Sequence, residues 1–572
     1  MFTIKQRFSS QYQNLYIVLV AVIIGVAVGL GNIAFRSAIS LVQYLCYGTT
    51  EEAPLPYLQA AAIWKIVLFP TLGGLVVGLI YHFYKTTHRG VPSVMKSLLL
   101  QTPIPPLSGV MTIVTSAITL GSGGSAGREG PIVQIGAAFG AAVGRVFRFS
   151  AKRMRLAIAS GAGGGLAATF NTPMAGAMFT AEVLLGRLSF QAFAPVVISC
   201  ISATVISRAF FGNHVTFITP AYVLSSPIEL LLYAALGIIT GLVGAGFLKV
   251  YFATASRFAK LSVPSWLKPA IGGLFVGLIG IHCRNIMGVG YGTIMSILDE
   301  SIIGWLLLGL VGLKILATSL TLGSGGAGGL FVPSLFIGAS LGGFVGWGAQ
   351  LAFPSIVLAP SSYAMVGMAA MLAATMRAPI TAILMIFEIT QSYQVVLPLM
   401  AAAILANVFA SFIEKESFFT KPLAAEGFNI GHGTELALLE QVKVRDIMVA
   451  DIVVFQESTP FHKILDDIRN RPHEYFPVVD VEGKLTGIIS LKDIKMILFE
   501  DSLGDIVVAQ DIGTREDIRS CTPQDTLAAA LALMGEDGIG DLPVVDSSMK
   551  LVGLLRRADI LTVYNKKILD LV

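Results

Sequence analysis

Charged side chains are scarce in this chain. Only 13% of its 572 residues are Asp, Glu, Lys or Arg, about half of the roughly 25% found in ordinary soluble domains. The scarcity is greatest over residues 301–411, where the charged residues are Lys314, Arg377 and Glu388, and we expect these three to be paired inside a helix bundle. A membrane-spanning helix needs about 20 apolar residues, so this stretch predicts several. Most of the chain is therefore predicted to lie in a lipid bilayer.

Features that mark several other protein classes are also missing. The net charge is only +4, which gives no indication of a nucleic-acid partner. The four cysteines are scattered without a CxxC pair, a spacing that argues against a disulfide framework and a cysteine-based metal site. The chain contains no HExxH segment, no Walker loop and no recognisable Ser/His/Asp set. We therefore predict no enzymatic activity and no required cofactor.

Glycine, in contrast, is abundant at 60 residues, and two glycine-rich segments repeat. TLGSGGSAGREGPIVQIGA at 119–137 matches TLGSGGAGGLFVPSLFIGA at 321–339, with an offset of 321 − 119 = 202 residues. LAATFNTPMAGAMFTAE at 166–182 matches LAATMRAPITAILMIFE at 372–388, with an offset of 206. Two matched blocks in the same order predict two homologous halves, roughly 12–211 and 226–419. Such halves are often inverted in the membrane, with the substrate site where broken helices meet.

The C-terminal part is richer in charge and contains a repeat of its own. PVVD at 477–480 recurs at 543–546, and KLTGIISLKDI at 484–494 recurs as KLVGLLRRADI, both with an offset of 66 residues. Each unit has short β-branched runs, a turn and a helix start, which is typical of a small α/β module. We predict a membrane domain over 1–425, a linker over 426–442, a first module over 443–502 and a second over 508–566.

The repeated glycine-rich segments predict an anion site. Each segment precedes a helix, with Pro131 or Pro333 in its first turn, where the missing N–H has no helical partner to lose. A helix N-terminus carries a partial charge of about +0.5, and glycines leave its backbone N–H groups open to a ligand. Tight helix packing is the alternative explanation, but the duplication favours two helix starts that converge on one anion.

These segments resemble the signature motifs of the CLC chloride channels and transporters. GREGP at 127–131 and GGLFVP at 328–333 resemble two of them, and HRGVP at 88–92 is similar to the third, which is usually GSGIP. The repeated C-terminal modules resemble the CBS pairs that many members carry. The resemblance implies an inverted-repeat helical fold and a homodimer with an anion pathway in each subunit. We expect a multi-pass protein of the plasma (inner) membrane, with cytosolic CBS domains.

The resemblance also implies roles for particular residues. Glu129 corresponds to the gating glutamate, a tethered anion that competes for the pathway and leaves it when protonated; the alternative is an ion pair with Arg128. The backbone amides of Leu330 and Phe331 would bind an anion at the central site. The amides of Arg128 and Gly130 would bind an anion at the outer site beside Glu129.

This sequence departs from the family pattern at three positions. Arg89 stands where the family has a serine, and Phe419 stands where it has a pore tyrosine, so both hydroxyl donors of the central site are missing. Arg89 could point into the pathway or belong to an interfacial loop; we favour a position at the mouth, where it would attract anions. Val183 stands where exchangers carry a proton-transfer glutamate.

These departures favour channel-like chloride permeation, because no carboxylate stands at the inner position of Val183. Proton-coupled chloride exchange stays open as the alternative, since some exchangers of the family lack the inner glutamate. A CBS-regulated cation transporter is a third hypothesis. The pore motifs argue against it, because they supply helix starts rich in amides and no ring of carboxylates.

The CBS pair resembles modules that bind adenine nucleotides. In these modules an aspartate in an S/T-x-x-D pattern accepts hydrogen bonds from ribose hydroxyls. Ser490 and Asp493 fit this pattern, whereas Asp559 in the second module follows Arg556 and has no Ser or Thr three residues before it. A purely structural pair that binds no nucleotide is the alternative.

Overall fold

The computed structural model describes most of the chain as two compact units, 1–423 and 424–572. Each unit is considered separately below. The described residues are 2–51, 55–84, 90–100, 102, 104–186, 190–213, 217, 226–426, 428, 439, 442–468, 475–491, 493–494, 507–515, 518–537 and 539–570.

The first unit is helical, and its first half ends with a long helix after a π-helical turn. The elements of this half are α1 (Phe2–Tyr47), α2 (Leu55–Ala60), α3 (Ile63–Tyr84), α4 (Gly90–Leu100), α5 (Pro106–Gly121), α6 (Glu129–Val146), α7 (Ala151–Phe170), α8 (Pro173–Phe179), a π-helix (Thr180–Leu185) and α9 (Phe190–Phe211).

The second half repeats the same succession of helices. Its elements are α10 (Glu229–Lys260), α11 (Lys268–His282), a 3₁₀ turn (Arg284–Ile286), α12 (Tyr291–Leu298), α13 (Trp305–Gly323), α14 (Phe331–Ala352), α15 (Pro360–Met376), α16 (Pro379–Thr390), a second 3₁₀ turn (Tyr393–Val395), α17 (Val396–Ile413) and α18 (Thr420–Ala425).

Among the described residues, seven helices are long and apolar enough to cross a membrane. Several other apolar helices are too short to do so, among them α5 and α16. Long spans mixed with short, broken helices are the architecture expected of transporters built from inverted repeats. The prediction of a mainly helical membrane domain with two homologous halves is therefore confirmed.

Small residues bring the helices of each half into close contact. A Cβ atom on Gly136 of α6 would lie 2.1 Å from the Gly161 carbonyl oxygen of α7, and one on Gly338 of α14 would lie 2.3 Å from the Gly367 oxygen of α15. These positions are related by the two sequence repeats. Neither pair of backbones could approach so closely with a larger side chain. The glycines therefore fix the position of α6 and α14, whose first residues form the site described below.

The second unit consists of two small α/β modules. Its elements are a 3₁₀ turn (Val444–Asp446), β1 (Phe455–Gln456), α19 (Phe461–Ile468), β2 (Tyr475–Val479), β3 (Leu485–Ser490), α20 (Ala509–Ile512), α21 (Leu527–Asp537), β4 (Asp541–Val545), β5 (Leu551–Arg556) and α22 (Arg557–Asp570). Strand β2 pairs parallel with β1 and antiparallel with β3, and β4 pairs antiparallel with β5.

The two modules exchange their leading segments. Val442 and Val444 stand at the N-terminal edge of the first module in sequence, yet they pack in the core of the second with residues such as Leu527. Ala509 and Ile512, at the N-terminal edge of the second module, pack in the core of the first. Each core is therefore incomplete without the other module's segment, and the pair forms one folding unit.

Candidate anion site

The two glycine-rich loops pair with each other by related hydrogen bonds. The backbone N–H of Gly127 donates to the Gly329 oxygen at 2.7 Å, and that of Gly329 donates to the Gly127 oxygen at 2.8 Å. Gly123 and Gly325 lie in turns with φ of +102° and +105°, a region that glycine adopts without steric cost. This pairing brings the first residues of α6 and α14 together in the membrane domain.

Threonine side chains hold the same loops from the opposite half. The backbone N–H of Ser125 donates to Thr321 Oγ1 at 3.1 Å, and the N–H of Ala327 donates to Thr119 Oγ1 at 3.2 Å. The four residues are related by the 202-residue offset. The loops are thus fixed before any ligand binds, which is the condition for a selective site made of backbone amides.

Glu129 occupies the point where the two helix starts meet. It is the first residue of α6 and only 1% exposed. Its Oε2 accepts a hydrogen bond from the backbone N–H of Val332 at 3.4 Å, in the first turn of α14, and the amides of Arg128 and Glu129 also face the carboxylate. Its Oε1 has no hydrogen-bond partner among the described residues. The carboxylate therefore lies where a free anion would bind between two helix N-termini.

Glycines on both sides make room for this carboxylate. A Cβ atom on Gly127 would lie 2.1 Å from Glu129 Oε2, and one on Gly130 would lie 3.2 Å from the Gly329 Cα. The Arg128 side chain points to other partners, because its Nη2 donates to the Thr169 oxygen at 3.3 Å and its guanidinium lies 5.0 Å from the centre of the Tyr291 ring. Sequence reasoning identified Glu129 and its neighbours but missed the amide of Val332.

Leu330 and Phe331, predicted to bind an anion through their amides, are buried at the start of α14. The Phe331 ring packs 5.5 Å from that of Phe170. Phe419 is also buried, and its ring lies 6.1 Å from the Phe179 ring on α8. Phe419 therefore contributes an apolar ring and no hydroxyl donor. Arg89 lies outside the described residues, and its position at the mouth stays a prediction.

Val183 is half-buried in the π-helical turn that follows α8. The carboxylate of the preceding residue, Glu182, is already engaged, because it accepts hydrogen bonds from the Thr381 N–H at 2.8 Å and the Thr381 hydroxyl at 2.6 Å. Glu182, the acidic residue next to Val183, thus caps the start of α16.

Lys314, on α13, is fully buried. Its ammonium group donates to the carbonyl oxygens of Ile286 and Gly288 at 3.0 and 3.1 Å and lies 4.9 Å from the centre of the Phe336 ring. Backbone oxygens and an aromatic face thus hold this charge.

The two α/β modules differ at the predicted nucleotide position. Asp493 Oδ2 accepts hydrogen bonds from the Ser490 N–H at 2.8 Å and from its hydroxyl at 2.7 Å. Asp559 forms a two-point ion pair with Arg556 Nε and Nη2 at 2.6 and 2.9 Å. This contact raises the pKa of Arg556 above its ordinary value. The second aspartate is therefore already neutralised by its own module.

Family models match both parts of the chain. The model described as voltage gated chloride channel matches residues 73–411, and the CBS domain model matches 444–500 and 508–566. A protein from Ralstonia nicotianae described as a ClcB-like chloride channel is 37% identical over 415 residues, which cover 71% of this chain and 96% of that protein. The chloride channel protein CLC-f of Arabidopsis thaliana is 29% identical and covers 96% of this chain and 80% of its own length.

Solved structures match the same parts. A slow cyanobacterial Cl⁻/H⁺ antiporter superimposes with a TM-score of 0.65 at 26% identity, over 72% of this chain and 97% of that one. A eukaryotic CLC transporter, at 20% identity and a TM-score of 0.63, shares the fold over 95% of this chain and 98% of its own. Together with the paired glycine-rich loops, these matches show that the chain belongs to the voltage-gated chloride channel family and carries a CBS domain pair.

Proposed function

We propose that this protein conducts chloride through a channel-like pathway gated by Glu129. The position of the Glu129 carboxylate carries the proposal. It is buried between two helix starts and accepts a hydrogen bond from the Val332 N–H. A chloride ion that reaches this point must replace the carboxylate. Protonation removes the negative charge that the helix starts stabilise, so the side chain can leave and the pathway opens.

The inner position supports a channel over an exchanger. Val183 cannot carry a proton, and the adjacent Glu182 is held by Thr381. Protons therefore have no carboxylate relay at this position. The rival function, proton-coupled chloride exchange, is favoured by one observation, the similarity to a cyanobacterial Cl⁻/H⁺ antiporter.

The same proposal includes a homodimer in the plasma (inner) membrane. The outer faces of α9, α16 and α17 expose large apolar side chains, a composition that suits a second copy or lipid. They include Ile201, Val205, Ile380, Leu397, Met400 and Ile404. The CBS pair would lie in the cytosol, where it could bind an adenine nucleotide at Asp493.

Flux measurements in liposomes, with chloride and pH recorded together, test the proposal. We expect the wild-type protein to release chloride down its gradient without moving protons uphill. Steady uphill proton movement driven by chloride would establish the exchanger. Flux of potassium or sodium, with gluconate as the impermeant anion, would instead support a cation transporter.

A further inference from the structure

We propose that a groove between α1, α7 and α9 binds one anionic phospholipid per chain. The lipid phosphate would contact the Arg153 guanidinium, and one acyl chain would lie along the groove. Among the described residues, the lining of the groove shares none with the candidate anion site, so the inference stands apart from the proposed chloride permeation.

Two helix faces with the same residue spacing form the walls of the groove. Helix α1 contributes residues from Ile17 to Ile24, and α7 contributes residues from Arg153 to Ser160, and Pro195 of α9 also lines the groove. Within each helix these residues are spaced mainly three or four positions apart and so share one face. Each face is about 10 Å long, and the groove encloses a volume of only about 10 Å³. This elongated, shallow shape fits the side of an acyl chain and no compact ligand.

The groove lies at the level where two of its helices change from polar to apolar. In α1 the polar residues 9–14 (SSQYQN) are followed by an apolar run, and in α7 the basic segment AKRMR at 151–155 is followed by another. Tyr16 stands at the change in α1, and its ring meets that of Phe149 edge-on, with 6.1 Å between the centroids. Tyrosine is enriched at the boundary between membrane and water. Arg153, at the N-terminal end of the α7 face, therefore lies at the depth of the lipid headgroups.

The positive charge around the groove has no acidic counterpart on the groove walls. No Asp or Glu occurs between residues 130 and 181, and α1 and α9 contain none either. Among the described residues, no carboxylate forms an ion pair with Arg153. Basic clusters next to membrane helices attract anionic headgroups. The basic residues of this cluster are Arg145, Arg148, Lys152, Arg153 and Arg155.

A lipid in this groove would support the helix pair that carries Glu129. Ala157 of α7 lines the groove, and its carbonyl oxygen faces α6, where a Cβ atom on Gly140 would lie 2.1 Å from it. Helix α6 begins with Glu129. An acyl chain along the groove thus packs on α7 close to its contact with α6. Because a ligand that binds only the folded state stabilises it, the bound lipid should raise the melting temperature of the protein.

Native mass spectrometry of the full-length protein in detergent tests the site. The probes are phosphatidylglycerol and phosphatidylcholine with the same acyl chains. We expect one phosphatidylglycerol per chain, bound at a lower lipid concentration than phosphatidylcholine. Arg153→Gln should weaken this binding roughly fivefold, the usual effect of one basic side chain on an anionic lipid surface, and Arg153→Lys should keep most of it. Arg208→Gln removes an exposed arginine of α9 outside the groove lining and is the matched control.

Thermal unfolding provides a second readout that does not depend on flux. Phosphatidylglycerol should raise the melting temperature more than phosphatidylcholine does, and Arg153→Gln should lose this difference while Arg208→Gln keeps it. Equal binding of the two lipids would overturn the inference, since it indicates ordinary boundary lipid. A loss that Arg208→Gln reproduces would also overturn it, because the effect would then be one of general charge. Displacement of the lipid by glycerol phosphate, which has no acyl chain, would show a phosphate site and overturn the assignment to a lipid.

Discussion

Glu182 and Glu388 each cap a helix of the opposite half of the membrane domain. Glu182 accepts hydrogen bonds from the Ile380 and Thr381 N–H groups at 3.2 and 2.8 Å, at the start of α16. Glu388, on α16, accepts from the Met174 and Ala175 N–H groups at 3.0 and 2.7 Å, at the start of α8. Each contact is the other one shifted by 206 residues. Each of the two inverted halves thus supplies a glutamate that accepts hydrogen bonds from the first N–H groups of a helix in the other half.

This reciprocity predicts how the two carboxylates contribute to stability. Glu182→Gln and Glu388→Gln should each lower the free energy of unfolding by about 1 kcal/mol, the usual loss at a helix cap. The two losses should add in the double variant, because each carboxylate acts at a different helix start. Thermal unfolding in detergent measures them. Thr381→Val removes the hydroxyl that donates to Glu182 and should also destabilise the protein, whereas Thr381→Ser keeps the hydroxyl and should not. Unchanged melting temperatures in all of these variants would contradict helix capping by Glu182 and Glu388.

The sequence predicted the backbone part of the site better than its side-chain part. The TLGSGG repeat, the helix-start prolines and Glu129 are consecutive in the chain, so their pattern is visible locally. Tyr291, whose ring faces the Arg128 guanidinium, and Lys314 lie on separate helices, and no local pattern marks them. Lys314 was expected to be paired inside the bundle, and the structure shows why an acid is unnecessary: the open carbonyls of Ile286 and Gly288 provide its partners.

Neutralising Glu129 should uncouple chloride flux from pH. The wild-type flux should rise as pH falls, because protonation removes the charge that holds the side chain against Val332. Glu129→Gln cannot ionise and should conduct at a high rate at every pH, whereas Glu129→Asp should keep the pH dependence. Liposome flux between acidic and neutral pH measures both. A pH dependence that survives in Glu129→Gln would assign the gate to another group.

Phe419→Tyr should strengthen anion binding at the central site. The Phe419 ring packs against Phe179 and cannot donate a hydrogen bond. A hydroxyl in its place would add one hydrogen bond to a charged ligand, which contributes about 1.5–3 kcal/mol. Calorimetry with chloride or bromide should therefore show a Kd lower by roughly tenfold or more. Phe418→Tyr, on the neighbouring residue, is the matched control, and equal effects of the two changes would contradict a pathway role for position 419.

The CBS pair should bind one adenine nucleotide per chain, in the first module. Among the described residues, the Asp493 carboxylate accepts hydrogen bonds from Ser490 at one oxygen, so a ribose hydroxyl can still donate to it. Asp559 is occupied at two points by Arg556, and a nucleotide would have to break that ion pair. Calorimetry on the full-length protein with ATP, ADP and AMP measures the stoichiometry.

Variants in each module show which of the two binds the nucleotide. Asp493→Ala should abolish the heat of binding, and Asp559→Ala should leave it nearly unchanged. Arg556→Ser recreates the Ser-x-x-Asp pattern in the second module and frees Asp559, so it should raise the stoichiometry toward two per chain. No heat with any of the three nucleotides would indicate a structural pair. Two nucleotides bound by the wild-type protein would show that the Arg556–Asp559 ion pair yields to the ligand.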